Sequence, residues 1–437
     1  MPNEDTDLLR RLYQAFDVRA LRDVDAELRV ELDEFRKPQT GVAHEMYSKV
    51  VYSSHSRPCH QVLAGHNGSG KSTELWYLKS RLEAGGQTKP FFTVYCDADD
   101  HVDRNDVDFL DVLVAMLRQL ATDLRERLGI ELKPGYIRNR LGQLWGLLKS
   151  DVQLEALDLP MALGKLSVAI KGSPDARAEL RKAFEPDAGN WMQAANECFG
   201  EAIRQLDPER FAGLVMIVDD LDKMANVEHQ QGGCLQTENL FVRRAAQLTG
   251  FECHVIYSMP LDLAYSEHKP VVANSFGGDV PVLPMTKLYS RPPGREPHEA
   301  GVDAFSQVID RRLARAGARR QDLFADDGVM RDVILLSGGQ PTELMTLARE
   351  AMLVGLPIAT AALPRLLSRG RLQYMSWLRE DHWEIIKQVS KEGRYKLAEE
   401  NKPAVRALLR TRAILQYLNR DEWYDVNPYL RDVAPAA

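Results

Sequence analysis

Apolar residues along this chain fall into short continuous runs separated by stretches at helical spacing. Gln61-Val62-Leu63-Ala64, Pro90 to Cys96, Phe211 to Asp220, Cys253 to Pro260 and Val280 to Met285 are too short for helices. Most are rich in β-branched or aromatic residues, which predicts five buried strands. Thr73 to Ala84 supplies a helix, and residues 106 to 128 supply a second with Phe109, Leu110, Leu113, Met116, Leu117, Leu120 and Leu124 on one side. Strands separated by helices predict an α/β fold, a parallel sheet covered on both faces. The stretch from 130 to 190 lies between the second and third of these strands, is longer than an ordinary connection and reads as a helical insertion.

The flanks have a different pattern. Residues 6 to 36 begin with Leu8, Leu9, Leu12, Tyr13 and Phe16 at helical spacing and continue as a charge-rich stretch, Arg22 to Lys37, that Pro38 ends. Residues 297 to 317 and 326 to 354 read as helices, interrupted at Ser337-Gly338-Gly339-Gln340-Pro341-Thr342-Glu343-Leu344, a hinge whose Pro341 suits a first helical turn. After Gly370 the spacing predicts helix 373–390, helix 402–410 and two strand-like runs, Ala413 to Leu418 and Glu422 to Val426, joined by Asn419-Arg420-Asp421. The expected order is an N-terminal helical arm (1–50), a core (51–292), a helical lid (293–368) and a helix-helix-hairpin unit (369–437).

Composition narrows the class. The 437 residues are 44% hydrophobic and 27% charged, ordinary for a soluble protein, and no apolar run is long enough to span a membrane. The start, Met1-Pro2-Asn3-Glu4-Asp5, lacks a signal peptide's basic and apolar regions, so a cytoplasmic location is expected. Cys59, Cys96, Cys198, Cys234 and Cys253 are scattered without zinc-site spacing, and His60, His66 and His254 show no ligand spacing either. A net charge of −7 argues against broad coating of nucleic acid.

The chemistry concentrates in two places. Gly65-His66-Asn67-Gly68-Ser69-Gly70-Lys71-Ser72 fits the phosphate-binding pattern G-x-x-x-x-G-K-[ST], between a predicted strand and a predicted helix that Thr73 begins. Its glycines let backbone N–H groups turn toward phosphates, Lys71 adds a compact cation, and the Ser72 hydroxyl can ligate Mg²⁺. The expected ligand is ATP with Mg²⁺. The apolar strand ending in Asp219-Asp220 delivers two carboxylates to its tip: Asp219 to hold Mg²⁺ through water and Asp220 to polarise an attacking water, or else a pair that only caps the strand. Asp222 and Lys223 fit the following turn. Ser258, at the end of a later strand, would orient that water or satisfy local backbone. Arg243, Arg244, Arg291 and Arg295 are the candidates for an arginine that stabilises transition-state charge.

Taken together, the Gly70-Lys71-Ser72-Thr73-Glu74-Leu75 loop, the Asp219-Asp220 strand, the strand ending at Ser258 and the Ser337-Gly338-Gly339 hinge resemble the AAA+ and STAND class of P-loop ATPases. The likeness covers roughly residues 50 to 355 and is strongest to bacterial STAND-like and origin-recognition-like branches. Residues 371 to 430 are similar to the winged helix that follows the lid in those branches, with Ala413 to Val426 as the wing. The resemblance implies that nucleotide state controls assembly, as a homo-oligomer, or exposure of a surface for an effector or sensor protein, with anti-phage defence as a role by analogy. One departure stands out: many relatives place an arginine after the hinge glycines to touch the terminal phosphate, whereas this chain has Pro341-Thr342. That favours slow hydrolysis or a switch based on nucleotide retention.

Two further readings remain open. A DNA-associated initiator or loader would use the winged helix on duplex DNA, yet Lys402, Arg406, Arg410, Arg412 and Arg420 are interleaved with Glu399, Glu400, Asp421 and Glu422. The mixed charge favours a protein partner. A nucleotide-stabilised structural subunit is the third.

Overall fold

The computed structural model describes residues 4–36, 40–53, 57–132, 135–148, 157–229, 233–395, 402–418 and 421–433. Pro38, Glu399, Glu400, Asn419, Arg420 and some of the 130–190 stretch lie outside the described residues. The chain forms two compact units that interleave along the sequence. One comprises Met1–Val42, Gly65–Glu74 and Val282–Ala437, the other Ala43–Ala64 and Leu75–Pro281.

The second unit carries most of the sheet. Strands β1 (His60–Gly65), β2 (Phe91–Asp97), β3 (Gly213–Asp219) and β4 (His254–Pro260) are almost wholly buried, as continuous apolar runs covered on both faces must be. β3 pairs in parallel with β2, Phe91 opposite Gly213 through Asp97 opposite Asp219, and with β4 on its other side. Ala64 donates its N–H to the Pro281 carbonyl at 2.9 Å, which sets β5 (Val282–Leu283) at the edge of a five-stranded parallel sheet ordered β2-β3-β4-β1-β5. The helix Phe109–Leu128 is fixed at one end by an Asp108–Asp111 capping box and at the other by left-handed Gly129. In the 130–190 region the described residues form helices Gly135–Trp145, Leu159–Gly172 and Pro174–Phe184. Phe109, Phe184, Trp191, Phe199 and Phe251 make the aromatic core beneath them.

The first unit is helical. Glu4–Ala15 packs on Glu299–Ala316, and Asp327–Leu336, Pro341–Val354 and Leu363–Met375 follow. The expected helix 373–390 is instead two helices, Leu363–Met375 and His382–Glu392. Between them the Trp377 N–H returns to Tyr374 at 3.0 Å and the Arg379 N–H is taken by His382 Nδ1 at 3.3 Å. Such local bonds compete with the helical ladder and end it. The helix Lys402–Arg410 leads into an antiparallel hairpin, β6 (Ile414–Leu418) and β7 (Glu422–Val426). Most of the hairpin is buried, and Leu415, Tyr417 and Trp423 cluster with Met285. Among the described residues, no helix is long and apolar enough to cross a membrane.

The hinge owes its shape to Gly338 and Gly339, at φ of 60° and 78°. A Cβ on Gly339 would lie 1.9 Å from the Thr286 carbonyl oxygen, whose residue also donates its N–H to the Gly339 carbonyl at 3.2 Å. Gly339→Ala is therefore expected to destabilise the protein by more than about 2 kcal/mol, from left-handed strain plus the displaced backbone. Urea unfolding monitored by tryptophan fluorescence would read this as a lower midpoint.

Candidate functional site

The loop from Gly65 to Ser72 leaves β1 at the carboxyl edge of the sheet and becomes a helix, Lys71–Ala84. Gly68 and Gly70 have φ of 84° and 100°, conformations that side-chain-bearing residues rarely adopt. The loop's carbonyls are satisfied from several directions. Lys71 Nζ donates to the carbonyls of Gly65 at 2.7 Å and His66 at 2.9 Å. Arg36, wholly buried, donates to Ser69 O at 2.6 Å, to Glu74 at 3.2 Å and to the Thr286 hydroxyl at 3.2 Å. Burial lowers the pKa of that guanidinium, and Glu74 opposes the shift. Arg29 reaches the other Glu74 oxygen at 3.1 Å, and the Leu21 N–H donates to Thr73 Oγ1 at 3.1 Å.

The lid hinge meets the same loop. The Thr342 N–H faces the Gly68 carbonyl at 3.4 Å, and Gln340, only 1% exposed, brings its amide against Gly68. Both amide atoms of Gln340 and the Ser69 hydroxyl are buried without a protein partner. His66, also buried, has Nδ1 3.1 Å from the Leu409 carbonyl, and its Nε2 accepts the Gln416 N–H at 2.9 Å. Burial, with Lys71 and Arg412 nearby, pushes that imidazole down to about 3.

The acidic cluster lies in the second unit. Asp219 is 2% exposed; its Oδ2 accepts the Tyr95 hydroxyl at 2.5 Å, and its Oδ1 is buried without a partner. Trp76 stacks on Tyr95 with ring centroids 4.0 Å apart. Asp220 is not in the strand but in the left-handed region at φ 66°, so its side chain leaves the sheet edge and pairs with Lys223 at 2.6 Å. Its Oδ1 is also buried and unpartnered. Desolvation and the Asp219 charge raise Asp220 to about 7, and burial with Asp100 and Asp219 raises Asp97 in the adjacent strand. Carboxylate oxygens of Asp219, Asp220 and Asp222 fall within 4.8 Å of one another, a spacing suited to a hard divalent cation such as Mg²⁺.

Ser258 is fully buried, and its hydroxyl accepts the Leu221 N–H at 3.0 Å. This geometry supports its anchoring of the turn after the acids. Of the four arginines, Arg244 is held by Glu185 at 3.0 and 2.5 Å, Arg295 by Asp425 at 2.9 Å and Ser390, and Arg291 by the Glu392 carbonyl at 3.0 Å. Arg243 closes a π-helical turn, Asn239–Arg243. Sequence reading missed Arg36, Tyr95 and Gln340. Tyr95 sits two residues before Asp97 on β2, opposite Ile217, so it shares a sheet face with Asp219 and reaches it diagonally across the strand pair.

No family model matches the chain, and no curated protein matches it. Solved structures with a similar course include a Walker-type ATPase of Pyrococcus abyssi, at 13% identity and TM-score 0.49, covering 96% of this chain and 99% of that one. They also include the Aeropyrum pernix ORC2 protein in ADPNP–ADP complexes, at 10%, 0.43, and 96% of both chains. A third is Cdc6p of Pyrobaculum aerophilum, at 11%, 0.35, and 94% and 96%. At these scores, the fold rests on the strand order and loop geometry described above.

The raised Asp220 pKa has a linkage consequence. A carboxyl that titrates near 7 when folded and near 3.8 when unfolded contributes stability at low pH that is lost as pH rises between those values. Asp220→Asn is expected to raise the melting temperature by about 2 to 4 °C at pH 8 without divalent metal, and by less at pH 5. Scanning calorimetry at both pH values would check this; an equal shift at each would contradict it.

Proposed function

We propose that the chain is an ATP-binding, Mg²⁺-dependent P-loop ATPase that acts as a slow switch, with the state of its phosphate loop governing the C-terminal helix-hairpin unit. The observation that carries the nucleotide reading is the loop itself: a strand, Gly68 and Gly70 in left-handed conformations, and a helix beginning at Lys71. Residues Gly65 to Thr73 would hold the phosphates, with Lys71 leaving its own loop's carbonyls for them and Ser72 meeting the metal. β3 delivers Asp219 to its carboxyl end, where parallel sheets receive ligands.

The Oδ1 atoms of Asp219 and Asp220, buried without a hydrogen-bond partner, would suit a divalent cation and a water. Mg²⁺ would neutralise charge on the phosphates. Tyr95 holds Asp219 in place, and Asp220 would take the proton of a lytic water. Gln340 supplies the lid's polar contact to the loop in the region where relatives carry an arginine. An uncharged amide there fits retention of nucleotide better than fast turnover. The reading further implies a homo-oligomer or an effector protein as downstream partner.

A second reading, a DNA-associated ATPase, draws on the helix Lys402–Arg410. Lys402, Arg406 and Arg410 recur in it every fourth position, and Ala404, Val405, Leu408 and Leu409 are buried. Cations at this spacing suit a phosphate backbone.

Isothermal titration of ATP with Mg²⁺ and a phosphate-release assay test the first reading. Lys71→Ala is expected to weaken ATP binding by about 100-fold or more. Asp220→Asn should bind ATP but turn it over about 100-fold more slowly. ATP binding by Lys71→Ala at wild-type strength would rule the loop out as the site.

For the second reading, full-length protein should bind duplex DNA with a steep salt dependence, and Arg406→Ala with Arg410→Ala should reduce that slope by about 2. Salt-insensitive or undetectable binding would leave the protein-partner switch.

A further inference from the structure

We propose that His66 is a positioning residue that makes the C-terminal hairpin part of the phosphate loop, so that ATP on the loop and docking of the hairpin weaken one another. The inference rests on the nucleotide reading above. His66 occupies the second position of the loop, where the phosphate-binding pattern leaves the side chain unspecified. Its main chain serves the loop: the carbonyl accepts Lys71 Nζ at 2.9 Å and the Ser69 N–H at 3.2 Å. Its side chain leaves the loop altogether and satisfies two backbone groups of the helix-hairpin unit.

The two imidazole contacts fix the tautomer. Nε2 accepts the Gln416 N–H, so the ring proton resides on Nδ1 and is donated to the Leu409 carbonyl. Leu409 is in the last turn of its helix, and its carbonyl is shared between the imidazole and the Arg412 N–H at 3.2 Å. Gln416 lies on β6, and its carbonyl accepts the Met285 N–H at 3.0 Å. Tyr417 adds a bond from its hydroxyl to the Gly338 carbonyl at 2.8 Å, while Leu415 packs on Gly338. One strand of the hairpin is thus fastened to the phosphate loop, to the segment after β5 and to the lid hinge.

The coupling follows from a competition. A phosphate draws the Lys71 ammonium off the Gly65 and His66 carbonyls, because an anion outcompetes neutral acceptors for a compact cation. The His66 peptide then loses a charged donor and turns. Its imidazole, tethered to the main chain through Cβ and held at both ring nitrogens, loses its fit to Leu409 and Gln416 when the peptide turns. Linkage makes the effect reciprocal: whatever factor ATP takes from hairpin docking, a docked hairpin takes from ATP affinity.

The test is hydrogen exchange of the full chain over residues 414–418, with and without saturating Mg²⁺·ATP, with occupancy measured on the same sample by calorimetry. The Gln416 amide is expected to exchange about tenfold faster with ATP bound. His66→Ala should exchange fast in both states and bind ATP about tenfold more tightly than wild type. Unchanged or slower exchange in wild type at full ATP occupancy overturns the proposal and leaves the nucleotide reading standing. Absence of ATP binding overturns both. The wild-type comparison decides the matter even where His66→Ala fails to fold.

Discussion

A loop that turns its N–H groups to one side to receive phosphate leaves its carbonyls on the other, and buried carbonyls need donors. In this chain the donors come from widely separated places. Lys71 folds back onto Gly65 and His66, Arg36 reaches Ser69, and the Thr342 amide approaches Gly68. That accounting explains why residues 65–74 belong to the same compact unit as the N-terminal arm and everything after residue 282. The arm, the lid and the hairpin are held together by what the loop requires of its surroundings.

The same accounting explains the buried charge of the arm. Arg36 is surrounded by protein and bonded to Glu74, which Arg29 also grips. Asp25, equally buried, sits between Arg19 and Arg315, which hold its pKa well below the usual carboxylate range. Breaking a buried pair by removing one partner leaves an uncompensated charge, which is costly. A chain with such pairs next to its glycine-rich loop has little freedom to shift the arm without disturbing the loop.

Much of this was readable from residue order. The five strands follow from apolar runs, the hinge from Gly338-Gly339 with Pro341, and the helix 402–410 and its hairpin from spacing alone. What was hidden depends on contacts distant in sequence. The Arg22–Lys37 stretch looks like solvated surface, because nothing local says that Asp25 and Arg36 have partners near residues 315 and 69. Tyr95 looks like one more aromatic in a buried strand until the β2–β3 register puts its hydroxyl on Asp219. The break at Ser376 to Asp381 depends on His382 capturing a backbone amide, a choice that apolar spacing cannot reveal.

The hairpin also has a practical meaning. Its two strands turn Leu415, Tyr417 and Trp423 onto Met285, far back in the chain, instead of presenting a free wing to solvent. Cut loose from that support, residues beyond 370 would carry a bare aromatic sheet face and an unpaired strand edge, the ingredients of self-association. A truncated C-terminal piece would then stick to itself and to most surfaces offered to it, and its adhesion would say little about what the intact protein grips.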